Sequence, residues 1–496
     1  MASNSLKDAP ESFGDKVRRA VIWRSGTQIL AQILSWGSTL IVVRLLDPSD
    51  YGLFAMTQVV LVFFGFLAGY GFASALIQSE EVDPKAVRQA FTLLLGINAV
   101  LALAQIAVAP LAADYYNQPI VADMLRWQAL IYLATPFAVV PEVLMSRDLE
   151  FKRPAITNLT ASATGAAVAL GMAFSGWGVW TLVAAPIALF WVRGIMLTAF
   201  TGFIKPTLDF KGAGAMIGFG AAVFVGHAAW IFQSQSDIFI AGRVLDPHVL
   251  GIYAEALFLT QLFAAKFVPP LNEVAFPAYA RLQNDKKALG EAFLKAARLI
   301  LIVAMPVYAG LFATADAAVM TLFGPKWTQM VPLVEIICIA MPVMTLQILF
   351  APALNAVGKP WVAARIAMVG AVLMPATYYL ALKAWGVFGL AWGWVIAFPI
   401  LLIVTFLLSH HHIQLSGRGL VRAIWPGLSA AGAMALLVMG LDRLLPASLP
   451  AIIELAICAG TGAAFYVGLL YLLSRDTFDE VKALVLKKQP PVAIAT

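Results

Sequence analysis

Apolar runs of about 20 residues, long enough to cross hydrocarbon as helices, recur from residue 21 to residue 473. They predict fourteen membrane spans, near 21–44, 53–78, 90–112, 124–144, 155–175, 178–202, 214–242, 250–271, 293–315, 330–350, 361–383, 387–409, 421–441 and 451–473. The pattern occurs twice. Residues 44–54 read RLLDPSDYGLF and residues 243–253 read RVLDPHVLGIY, an offset of 199. Pro119 and Pro136 recur as Pro325 and Pro342 at an offset of 206, and Trp177-Gly178-Val179 recurs as Trp385-Gly386-Val387 at 208. One slowly drifting offset therefore aligns two units of six helices, with two helices appended. Six is even, so both units enter the membrane from the same side. That predicts a parallel pseudo-two-fold repeat about the membrane normal, enclosing a central cavity. The expected fold is an all-α polytopic membrane protein. Its parts are a tail (1–20), a first bundle (21–202), a connection (203–213), a second bundle (214–409), two further spans within 420–473 and a tail (474–496). Duplicated bundles of this kind are mostly transporters.

Polar positions inside the apolar runs come next. In the first span Arg24, Gln28, Gln32, Ser35, Ser38 and Thr39 fall on one side of a helical wheel. A polar stripe on a membrane helix faces protein or water, not lipid. The offset of 199 places His227 opposite Gln28, Ser234 opposite Ser35 and Asp237 opposite Ser38. Bonds between helices are the plain reading of the serines. Arg24 and Asp237 ask for more, because a charge at mid-membrane costs about 2.5–3.5 kcal/mol. Asp47 and Asp246 precede Pro48 and Pro247 and read as helix caps. The prolines inside spans read as kinks, some of them hinges.

Composition agrees with the pattern: 61% of residues are hydrophobic and 12% are charged. The basic residues are lopsided. Loops on the side of the N-terminus hold 24 of the 33 Lys and Arg, and the opposite loops hold six. The positive-inside rule then puts both termini in the cytoplasm. The same bias explains the basic pI, so no nucleic-acid partner is implied. Three basic residues remain inside spans: Arg24, Arg193 and Lys266. By this topology they lie toward the cytoplasmic half, where they suit an anionic group. Snorkelling to the interface is the alternative. Asp237 and Glu255 lie toward the outer half and are candidates to bind a coupling proton or sodium ion. For Asp237 the alternative is a salt bridge to a buried base or to Arg243. For Glu255 it is a favourable place in the first turn of a helix. No nucleotide-binding motif, metal spacing or cofactor motif is present. His410 to His412 read as interfacial, and Cys338 and Cys458 as buried free thiols.

Several stretches resemble a known family. The first is RLLDPSDYGLFAM (Arg44 to Met56), followed by G-x-x-x-G-Y-G-F-A-S-A-L-I-Q (Gly65 to Gln78). The others are VAFPAYARLQND (Val274 to Asp285) and NAVGKP (Asn355 to Pro360). Together they are similar to the polysaccharide-transporter family, flippases of lipid-linked oligosaccharides. That family belongs to the superfamily of multidrug exporters and peptidoglycan-precursor flippases. The resemblance spans roughly residues 15 to 410. It implies a flippase that carries an undecaprenyl diphosphate-linked repeat unit across the bacterial inner membrane. The product would serve surface or exopolysaccharide or O-antigen synthesis. Membrane lipids, and possible polymerase and chain-length-regulator partners, come with that reading. Two alternatives stand beside it: a transporter of another cargo, such as a drug-like cation or peptidoglycan precursor, and a membrane polymerase or ligase. Short outer loops without a catalytic constellation weigh against an enzyme.

Overall fold

The computed structural model describes the backbone of residues 13–68, 84–148, 150–209, 214–446 and 448–475. It describes their side chains except at 13–25, 66–67 and 214–228. The first helices are α1 (Phe13–Leu45), α2 (Pro48–Leu67), α3 (Pro84–Tyr116), α4 (Ile120–Gln128), α5 (Leu130–Arg147), α6 (Lys152–Phe174) and α7 (Trp180–Thr201). There follow α8 (Gly214–Val244), α9 (Pro247–Arg281), α10 (Lys286–Ala313) and α11 (Ala315–Leu322). After a 3-10 turn (Pro325–Met330) come α12 (Val331–Ile348), α13 (Phe350–Ala356), α14 (Pro360–Ile413), α15 (Gly417–Asp442) and α16 (Ala451–Leu473).

Among the described residues, eleven helical stretches are long and apolar enough to cross a membrane. One of them, the 54-residue α14, leaves helical geometry at Trp385 and Gly386. Tyr378, before that break, packs its ring where a Cβ on Gly393 would stand, so the two arms of α14 run antiparallel. Helix α2, with 20 residues, and α8, with 31, also have the length to span. Each of the fourteen runs expected from hydropathy therefore falls on a helix over its described residues, residues 69–78 of the second lying outside them, and the chain is a multi-pass membrane protein.

Both repeats start and break their helices at matching places, with different bonds. Asp50 Oδ2 accepts from the Asp47 N–H at 3.1 Å at the head of α2, and Asp246 Oδ1 accepts from the His248 N–H at 2.8 Å at the head of α9. Pro119 precedes a short helix leading into a long one, and Pro325 opens the matching 3-10 turn before α12. Gly178 and Gly386, mates at offset 208, have φ of 52° and 60°, a region that excludes most side chains.

Contacts divide the chain into two compact units, Met1–Ile231 with Gly242–His248, and Phe232–Ala241 with Val249–Thr496. In the first, α6 packs on α1 and α7, α5 on α3 and α7, and α4 on α2 and α3. Phe91, Leu94 and Val140 form one apolar cluster, and Met124, Val179 and Val183 another. Segment 202–209 is not helical and is strapped to α3. Lys85 pairs with Asp209 at 2.7 Å, Arg88 donates to the carbonyl of Lys205 at 3.0 Å, and Thr92 accepts from the Thr207 N–H at 2.8 Å. In the second unit α10 packs on α12 and α15, α12 on α14, and α16 on α15.

The prolines inside these helices free carbonyls four residues upstream, and side chains answer two of them. Pro141 releases the Phe137 carbonyl, which accepts from Thr198 at 3.0 Å. Pro306 releases the Ile302 carbonyl, which accepts from Tyr466 at 2.8 Å. The second bond fastens α16 to α10. Cys338 and Cys458 are free and buried.

Candidate substrate and coupling site

Among the ionisable residues predicted from sequence, Asp237 has the most definite surroundings. It sits in α8 at 1% exposure. Tyr253 Oη donates to its Oδ2 at 2.8 Å, and Trp394 Nε1 donates to the same tyrosine oxygen at 2.9 Å. Because indole can only donate, it fixes the tyrosine hydroxyl as donor to the carboxylate. Tyr378 closes the site, its ring 5.9 Å from that of Trp394. Asp237 Oδ1 is buried with no hydrogen-bond partner. An ionised carboxylate in such a place is costly unless paired, so proton or cation binding has a large lever here. The proposed salt bridge to Arg243 does not form. Arg243 Nη1 instead donates to the carbonyls of Asp114, at 3.2 Å, and Tyr115.

Glu255 is half-buried on α9. That helix starts at Pro247, so Glu255 stands in its third turn, and the first-turn dipole reading does not apply. Arg193 is not a free cation. Its Nη2 meets Glu142 Oε2 of α5 at 2.5 Å, with side-chain exposures of 23% and 38%. The sequence reading left Glu142 unweighed, and this carboxylate neutralises Arg193. Lys266 is exposed on α9. Gln28 is exposed and Gln32 half-buried on α1. Ser38 and Thr39 both donate to the carbonyl of Ser35 in their own helix, at 2.9 and 2.8 Å, so their hydroxyls are used locally. The side chains of Arg24 and His227 lie outside the described residues.

Tyr253 and Trp394 were missed, yet one signal for the tyrosine was available. At the offset of 199, Ser38 and Phe54 become Asp237 and Tyr253. The acid and its hydroxyl donor change together between the repeats.

These elements define a multi-pass helical membrane protein with the architecture of known flippases and exporters. The fold is that of the lipid II flippase MurJ in an inward closed conformation: TM-score 0.73, 12% identity, covering 92% of this chain and 99% of MurJ. A multidrug resistance MATE transporter, inward-facing, is also similar: TM-score 0.60, 14% identity, 80% of this chain and 98% of that one. The chain belongs to the polysaccharide biosynthesis protein family, which matches residues 41–332. Among relatives, the succinoglycan biosynthesis transport protein ExoT of Rhizobium meliloti (strain 1021) is 24% identical over 92% of each chain. The lipopolysaccharide biosynthesis protein WzxC of Escherichia coli (strain K12) is 23% identical over 66% of this chain and 67% of its own.

Proposed function

We propose that the chain is a flippase moving an undecaprenyl diphosphate-linked oligosaccharide from the inner to the outer leaflet of the cytoplasmic membrane, by alternating access and without a covalent step. The supporting observation is its likeness to a succinoglycan biosynthesis transport protein across 92% of both chains. The physics agrees. A charged, hydroxyl-rich head crossing bare hydrocarbon costs tens of kcal/mol on Born-type reckoning. A hydrated path lined by cations and amides removes most of that cost while the tail stays in lipid. The six-helix bundles read from the sequence repeat, 21–202 and 214–409, are the two moving halves. Arg24, Gln28, Gln32, His227 and Lys266 are the groups for the head, with Arg193 supporting its helix through Glu142. Asp237 is the first choice for ion coupling and Glu255 the second. A polymerase and a chain-length regulator of the same pathway are the expected partners. The MATE-like fold keeps a drug-like cation as second cargo.

The test is export in a strain lacking the chromosomal copy. Arg24→Ala abolishes surface polymer while inserting at normal levels, and Arg24→Lys restores part of it, since Lys keeps the charge without the bidentate fork. Full export by the alanine variant removes Arg24 from the site. Uptake of the lipid-linked unit by proteoliposomes tests the flippase reading itself, and absence of movement rejects it. Orientation has its own measurement. Reporter fusions at residue 118 read outside and at residue 286 inside; the reverse would overturn the assignment of sides.

A further inference from the structure

Helix α15 stands outside the duplicated units and outside the site above. One face of it buries Leu420, Ala423, Gly427, Ala431 and Met434, mostly against α10 and α16. The other face carries Arg418, Val421, Arg422 and Trp425, whose spacing puts them on one side of the helix. Val421 and Trp425 are 64% and 62% exposed. The four residues, with Gly417 and Pro426, line an open groove of about 570 Å³.

The charge on this face is unanswered. Four basic residues elsewhere are answered by carboxylates: Lys85 by Asp209, Arg126 by Asp123, Arg153 by Glu150 and Arg193 by Glu142. Among the described residues neither Arg418 nor Arg422 has one, and the first turn of α15 holds no acid. Two like charges one turn apart repel, and the helix N-terminus adds partial charge of the same sign. An anion lying across both guanidiniums removes that repulsion. Their planar donor forks match phosphate oxygens. Trp425 lies about 10 Å along the helix from Arg418, a depth where its amphipathic ring suits the boundary between headgroups and acyl chains.

We propose that this face of α15 binds the headgroup phosphate of an anionic phospholipid. Arg418 and Arg422 hold the phosphate, and Val421 and Trp425 lie against the glycerol and first methylenes. Charge complementarity selects an acidic lipid, because the ammonium of a zwitterionic one would face two guanidiniums.

Native mass spectrometry of the detergent-solubilised full-length protein tests this, with added dioleoyl phosphatidylglycerol or phosphatidylcholine. The parent retains phosphatidylglycerol in at least about tenfold preference, and Arg418→Gln/Arg422→Gln loses the preference. Lys286→Gln/Lys287→Gln removes the same charge from another exposed position and keeps it. Arg418→Lys/Arg422→Lys keeps part. Unchanged preference in the glutamine pair, or equal loss in the lysine control, overturns the site. So does retention of undecaprenyl phosphate in preference to phosphatidylglycerol at these arginines. If the glutamine pair does not accumulate, Arg422→Gln alone and the lysine pair carry the same comparison.

Discussion

Asp237→Asn makes transport blind to an imposed ion gradient without preventing substrate binding. The lever is the contrast between an acid at 1% exposure and the single hydroxyl that donates to it. Its second oxygen has no partner, so binding a proton or sodium ion changes the cost of keeping the group inside the protein. One elementary charge crossing 100 mV is worth about 2.3 kcal/mol, enough to bias a two-state carrier roughly fiftyfold. Asparagine keeps the size and loses the charge. In proteoliposomes with pH or sodium gradients, the Asn variant runs at one rate whatever the gradient. Tyr253→Phe is the companion variant. A hydrogen bond to a charged group is worth about 1.5–3 kcal/mol, so losing it slows transport at least about tenfold while the gradient response persists. An Asn variant that still answers the gradient like the parent excludes Asp237 as the coupling site.

Hydropathy marked the fourteen spans because each must satisfy its backbone internally in lipid, which leaves long uninterrupted apolar runs. Even the break in α14 was legible, since Trp385-Gly386 interrupts an apolar run and copies Trp177-Gly178. The caps were legible because Asp followed by Pro has a local meaning that no distant residue alters. Partners were harder. Trp394 reaches Tyr253 across 141 positions, and nothing in either residue's neighbourhood announces the other. Glu142 follows Pro141 at the head of an apolar stretch, and nothing near Arg193 in sequence points to it across 51 positions. Helical periodicity can place Lys266 on a face of α9 but cannot say whether that face is covered.

The Arg193–Glu142 pair separates support from substrate contact. Removing one partner of a buried pair strands the other charge, at about 3–5 kcal/mol. The pair is only part-buried, with side-chain exposures of 23% and 38%, so the loss falls below that range, at about 1–2 kcal/mol. Arg193→Leu therefore lowers the ratio of folded to unfolded protein roughly tenfold, read as loss of inserted protein and of thermal stability in detergent. The double variant Arg193→Leu/Glu142→Leu leaves no charge stranded, and apolar replacement of a buried pair is often neutral or better. It should recover both the inserted amount and export. If Arg193 instead holds the diphosphate, the double variant accumulates normally and exports nothing. Stability and export then part company, and Arg193 returns to the substrate site beside Arg24.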